Sequence, residues 1–266
     1  MQNVFHQGEL TVQQRAGESQ MGALNGRIIS TEIPPVAQRF ISKQSMALVS
    51  SQSPEGQLWV SLLTGNPGFV EATDSGHVTI NRQLLLSSPD DILFRNLTKQ
   101  PQLGILFIDL ASRRRFRVNG QGQLSDQALH LTVVQAFGNC PKYIQQRRIA
   151  HRATPMQAAH TSAGQELKSA HLELIRKADT FYVGSSDDHG HLDASHRGGK
   201  TGFVEVLPTG QLTIPDYPGH SMFNTLGNFE SNPTAAILFV DYARNSSLQL
   251  SGKATLQFEA HSEADL

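Results

Sequence analysis

The stretch Ala194–Thr201, ASHRGGKT, puts Ser195, His196, Arg197 and Lys200 beside Gly198, Gly199 and Gly202. Arginine presents a planar fork of donors that matches a phosphate. Glycine lets a ligand come close to the backbone. With alanine in place of the first glycine, the stretch also fits a relaxed phosphate-loop pattern. Such a loop needs a helix directly after it, whose first N–H groups hold the phosphates. The next residues, GFVEVLPTGQLTIPDY, are two β-branched runs about a Pro-Thr-Gly turn. They predict a hairpin. The motif therefore invites an anion without making a triphosphatase loop; the plainer alternative is a solvated basic turn.

Other stretches carry chemistry-bearing residues. Asn139–Arg148, NCPKYIQQRR, combines Lys142, Tyr143, Arg147 and Arg148 with Cys140. It reads either as a contact to an anionic ligand or as an exit helix with solvated arginines. Cys140 precedes a proline with no nearby histidine, so a small packed hydrophobe is expected rather than a nucleophile. Arg113–Arg117, RRRFR, is the densest positive charge and reads as a solvated hairpin, with phosphate or partner binding as the alternative. Asp187, Asp188, His189, His191 and Asp193 match no zinc spacing, and no metal site is expected. Asp109 and Asp241 fall at matching strand ends and read as turn positions, so no catalytic side chain is assigned.

These residues must be positioned by a chain of 266 residues, 17% of them charged, with a net charge of −1. There is no basic excess to neutralise many phosphates, so nucleic acid is not an expected partner. One cysteine excludes an internal disulfide. No run approaches the ~20 apolar residues of a membrane span. The expectation is a soluble, cytoplasmic protein acting on a small molecule, with room for homodimer formation.

The chain repeats itself. Ile41–Ile80 overlays Ile175–Ile214 at an offset of about 134, matching Gly56 with Gly190, Ser61 with Ser195, and Gly68-Phe69-Val70-Glu71 with Gly202-Phe203-Val204-Glu205. At an offset of about 132, Asn96 meets Asn228, Pro101 meets Pro233, and ILFID meets ILFVD. Each copy reads as about six short antiparallel strands and one small helix, a closed or split barrel. The expected division is a first domain over 1–150, a connector over 151–170, and a second domain over 171–266. The second copy ends QFEAHSEADL, with no counterpart of LTVVQAFGNCPKYI, so either a final strand is missing from it or the sequence stops early.

With these motifs in place, the chain resembles the pyridoxamine 5'-phosphate oxidase-like flavoproteins, and more narrowly their tandem, two-barrel flavin-nucleotide-binding members. FHQGELTVQQRAG, SLLTGNPGFV, LFIDLASRRRFRVNG and GNCPKYIQQRR carry the resemblance in the first half. SHRGG, GFVEVLPTGQLTIPDYPGHSMFNTLGNFESNP and ILFVDY carry it in the second. It implies a mainly β fold of two tandem FMN-binding split barrels, a pseudo-dimer in one chain. It implies FMN ahead of FAD, F420 or haem, and an FMN-dependent oxidoreductase or a non-catalytic flavin- or haem-binding protein. The implied cofactor-binding residues are Ser195, His196, Arg197, Lys200, Asp216, Tyr217, Ser221 and Asn224, with Lys142 and Tyr143. The family's phosphate-segment lysine has no counterpart here. In the first copy Leu62-Leu63-Thr64 stands where the second has His196-Arg197-Gly198, which implies one FMN per chain.

Overall fold

A computed structural model describes residues 4–149 and 161–258. Half of the expected connector, residues 151–160, and the last eight residues of the chain lie outside the described residues. The protein is mainly antiparallel β with short helices. The first unit opens with α1 (Gln7–Arg15), α2 (Ser19–Asn25) and α3 (Pro35–Ile41). There follow β1 (Met46–Gln52), β2 (Leu58–Thr64), β3 (Val70–Ala72), β4 (His77–Asn81), α4 (Ile92–Leu97), β5 (Gln102–Asp109), β6 (Arg114–Leu124) and β7 (Ala128–Gly138). The second unit runs α5 (Ser169–Lys177), β8 (Thr180–Ser186), β9 (Leu192–Gly198), β10 (Glu205–Val206), β11 (Leu212–Thr213), α6 (Asn224–Ser231), β12 (Thr234–Asp241) and β13 (Ser246–Lys253).

The first unit is one rolled sheet in the order β2-β1-β5-β6-β7-β4-β3. A bridge from Gly65 to Leu85 draws its ends together. The second unit has the sheet β13-β12-β8-β9 and a separate hairpin β10-β11. Among the described residues no strand joins β13 to β11, so this unit is open where β7 closes the first. The turns follow from residue type: Gly56 and Gly190 both sit at positive φ in matching hairpins, a conformation glycine adopts without steric cost.

The units are not beads on a string. Alternation along β1 sends Ala47 and Val49 into the first barrel's core and Leu48 the other way. Leu48, Val60, Leu106 and Ile108 then meet Tyr182, Ala194, Ala236 and Leu238 in one shared apolar core between the units. Matching interactions recur at matching positions. Asn96 donates to Ser51 at 3.0 Å, and Asn228 donates to Ser185 at 2.9 Å. Among the described residues the N-terminal pair α1–α2 has no counterpart in the second unit; α1 lies against α6.

Candidate functional site

The site forms where β6 of the first unit crosses β9 of the second. Phe116 and Val118 of β6 turn into their own barrel. Period-two alternation therefore turns Arg115, Arg117 and Asn119 toward the other unit. Arg117 is 4% exposed and pairs with Asp193 at 3.1 Å. It also donates to Ser195 and stacks over Phe137 at 5.2 Å. Asp193 accepts from Asn119 at 2.6 Å and from Asn228 at 3.2 Å. This network fixes the floor of the site and consumes the charge of Arg117.

Arg115 is different. Its Nε donates to the Cys140 carbonyl at 2.8 Å, and Nη1 reaches the His196 carbonyl at 3.5 Å. No carboxylate lies within ion-pair reach of it among the described residues. Burial, then the neighbouring Arg197 and Arg117, lower its pKa to about 10. It remains protonated at neutral pH, as an uncompensated cation. Arg197 faces Asp216 at 3.8 Å, a loose pair open to solvent. Burial raises the Asp216 carboxyl and the Arg197 charge opposes that shift.

His196 is 3% exposed, and both ring nitrogens lack a hydrogen-bond partner. Burial and the charges of Arg115, Arg197 and Arg147 hold its pKa well below the usual value, so the ring is neutral. His220 is lowered to about 4 by burial and by Arg117, Arg115 and Arg197. Both histidines register a positive field.

The other wall is the loop between β11 and α6. Ser221 and Phe223 take left-handed backbone at φ of 61° and 55°. Such conformations cost non-glycine residues about 1–3 kcal/mol each and persist only where the surroundings hold them. Here α1 and α2 do the holding. Gln13 donates to the Met222 carbonyl at 3.2 Å, Asn25 donates to the His220 carbonyl at 2.7 Å, and Ser221 bonds Glu18. Asn224 donates to Glu9 at 2.5 Å. The loop leads into the first turn of α6, whose leading N–H groups have no acceptor within the helix and carry partial positive charge.

The cavity enclosed by these elements measures about 100 Å³. Tyr143 and Tyr217 stand at its mouth with ring centres 5.2 Å apart, each more than a third exposed. Tyr143 Oη donates to the Pro218 carbonyl at 2.9 Å, and Lys142 Nζ to the same oxygen at 3.4 Å. Gly198 is required: a Cβ there would sit 2.1 Å from the Tyr143 carbonyl oxygen.

No protein-family model and no curated protein sequence matches the chain. Solved structures of the pyridoxamine 5'-phosphate oxidase-like type resemble part of it. HupZ of Group A Streptococcus is 14% identical, with a TM-score of 0.33 over 40% of this chain and 93% of that one. A Lactobacillus delbrueckii protein named for pyridoxamine 5'-phosphate oxidase is 10% identical, with a TM-score of 0.32 over 41% of this chain and 95% of that one. An F420 reductase is 10% identical, with a TM-score of 0.27 over 41% of this chain and 97% of that one.

Of the residues singled out from sequence, Ser195, His196, Arg197, Asp216, Tyr217, Ser221, Asn224, Lys142 and Tyr143 line this one cavity. Lys200 does not: it is exposed in the turn after β9. Two expectations are corrected. The RRRFR stretch is not a solvated hairpin throughout, because Arg115 and Arg117 reach into the inter-unit seam. NCPKYIQQRR is not an exit helix; it has no helix, and Arg147 ties it to Asp179 at 2.5 Å. Arg115, Arg117 and His220 line the site and were not assigned as cofactor-binding residues. The readable signal for the arginines was alternation: with Phe116 and Val118 inward, their neighbours had to face outward.

Among the described residues no group of metal-ligating side chains forms a metal site. No described helix is long and apolar enough to cross a membrane.

Proposed function

We propose that the chain is a flavoprotein that holds one FMN in the seam between its units. The phosphate is set among Arg115, Arg197 and the first turn of α6. The observation that carries this reading is Arg115, a buried cation with no carboxylate within ion-pair reach of its own among the described residues, pressed by two further arginines. A phosphate supplies that counter-charge. The unpaired nitrogens of His196 add a donor and an acceptor beside it, and Lys142 stands at the rim.

The cavity volume supports an anionic end rather than a whole flavin. About 100 Å³ falls short of the ~300–1,000 Å³ of pockets that enclose a drug-sized ligand. The flavin body would extend past Tyr143 and Tyr217. When bound, the isoalloxazine supplies hydride and electron transfer. The chain's own residues bind the phosphate, orient the ring system and keep water from the seam. The activity we infer is an FMN-dependent oxidoreductase on a small molecule. His196 also favours a second reading, because a neutral imidazole is a haem-iron ligand; its two flanking arginines favour the flavin.

FMN and riboflavin titrations of the purified protein, followed by flavin fluorescence, test the proposal. FMN should bind much more tightly than riboflavin. Arg115→Ala should weaken FMN binding by about tenfold or more, since a charge-assisted bond is worth ~1.5–3 kcal/mol. Equal affinity for the two flavins would remove the phosphate site. A Soret band on added haem with no flavin binding would favour the second reading. Steady NAD(P)H consumption by the loaded protein would establish turnover.

A further inference from the structure

The cavity holds two imidazoles, and their hydrogen bonds make them unlike. His196 has no partner on either ring nitrogen, so its proton is free to sit on whichever one a ligand requires. His220 has no such freedom. The Met222 N–H donates to its Nδ1 at 3.3 Å. An amide N–H only donates, so Nδ1 must present a lone pair. The ring is also neutral at neutral pH, since burial and the charges of Arg117, Arg115 and Arg197 lower its pKa to about 4. A neutral imidazole with an accepting Nδ1 carries its single proton on Nε2. Among the described residues no acceptor meets that N–H. The backbone around the ring is held from behind: Asn25 donates to the His220 carbonyl at 2.7 Å, and Glu18 accepts from the neighbouring Ser221.

We propose that His220 is a specificity-determining residue whose Nε2 is a fixed donor to an oxygen of the anion that Arg115 and Arg197 attract. The inference rests on the anion site proposed above and adds which kind of atom that site accepts. The three arginines that act on the His220 ring line the same cavity as the ring, so the ring and a bound anion share one field. The carboxylates on the adjoining elements are engaged elsewhere: Asp193 with Arg117, Glu18 with Ser221, and Asp216 with Arg197. None competes for the N–H. A fixed donor also discriminates. A ligand that turns an N–H toward it sets one polar hydrogen against another and leaves both unpaired. The group that fits is an oxyanion, whose oxygens accept: an ionised phosphate ester rather than an amine. Because the donor carries no charge, its contribution does not fade as pH rises through the ordinary histidine value of 6.5.

Nitrogen NMR of the full chain, labelled at histidine, reads the tautomer directly, with the His220 signals identified by their loss in His220→Gln. A proton on Nε2 at neutral pH is expected, with no titration down to about pH 5. Inorganic phosphate, and then FMN, should each shift the Nε2–H resonance. His220→Asn removes the donor from the Nε2 position and should weaken FMN binding by about tenfold while leaving riboflavin binding unchanged. His220→Gln places an amide N–H near that position and should recover most of the loss. A proton on Nδ1, or a ring that titrates near its ordinary value, would overturn the inference whether or not flavin binds. So would an Nε2–H resonance that inorganic phosphate leaves in place, or equal FMN affinity of the parent and His220→Asn. A phosphate-shifted Nε2–H in a protein that binds no FMN would remove the flavin and keep the donor.

Discussion

Arg115 and Arg117 stand two residues apart on one strand and do different work. Arg117 pairs with Asp193, while Arg115 has no carboxylate partner among the described residues. Glu9 shows the same dependence on surroundings from the acidic side. It is 5% exposed beneath α6, and burial outweighs its bonds from Asn224 and the His6 amide, raising its pKa to about 8. The folded protein therefore holds a proton on Glu9 that the unfolded chain releases near the ordinary glutamate value of 4.5. With more protons bound in the folded state, stability falls as pH rises between those values. Glu9→Gln keeps the oxygen that accepts from Asn224, gives up the one that accepts from the His6 N–H, and removes the titration. Thermal melts should show the variant gaining stability relative to the parent between pH 5 and pH 8, by a margin on the order of a few kcal/mol. A parallel pair of melting curves across that range would show Glu9 to be ordinary.

At the scale of elements, α1 is what holds α6 and the loop before it. The two helices touch at glycines: a Cβ on Gly8 would lie 2.2 Å from the Gly227 carbonyl oxygen, and one on Gly227 would lie 2.4 Å from Glu9 Cγ. Glycine within a helix ordinarily costs about 1 kcal/mol relative to alanine. Gly8→Ala should therefore stabilise the protein if α1 were a free surface helix. Here it should lower the melting temperature and weaken FMN binding, because the first turn of α6 shifts with its support. A higher melting temperature with unchanged FMN affinity would show that α1 does not set the site. This contact explains what was not legible beforehand. Gly8, Glu9, Gly227 and Asn224 read as loosely spaced residues, since nothing local says that residues more than 200 positions apart in sequence meet. The strands were legible, because alternation and turn glycines are local. The cavity was legible only in part: the second unit's residues announced themselves through SHRGG, while Arg115 looked like surface charge until its partner sheet was known.

At the scale of the whole molecule, the two similar units are proposed to make one site rather than two, for a chemical reason. By the repeat, the counterpart of the arginine seam lies between β2 and β13. Leu62 and Leu63 stand there for His196 and Arg197, and Ser247 and Gln249 for Arg115 and Arg117. Gln249 spends its amide on the Val60 carbonyl at 2.9 Å. Ser61, the match of Ser195, bonds Asp91 at 2.5 Å, and burial raises that carboxyl. The three arginines of the first seam, Arg115, Arg117 and Arg197, thus have no charged counterpart in the second, and a carboxyl sits at the start of α4 where Phe223 precedes α6. A phosphate placed there would meet none of those three charges and, when Asp91 ionises, a like charge. FMN should therefore saturate at one per chain, measured as flavin absorbance against protein concentration after gel filtration. Arg197→Ala should lower that ratio toward zero rather than to half. A ratio of two, or a residual half after the substitution, would mean that the second seam binds flavin without arginine and that charge does not select the site.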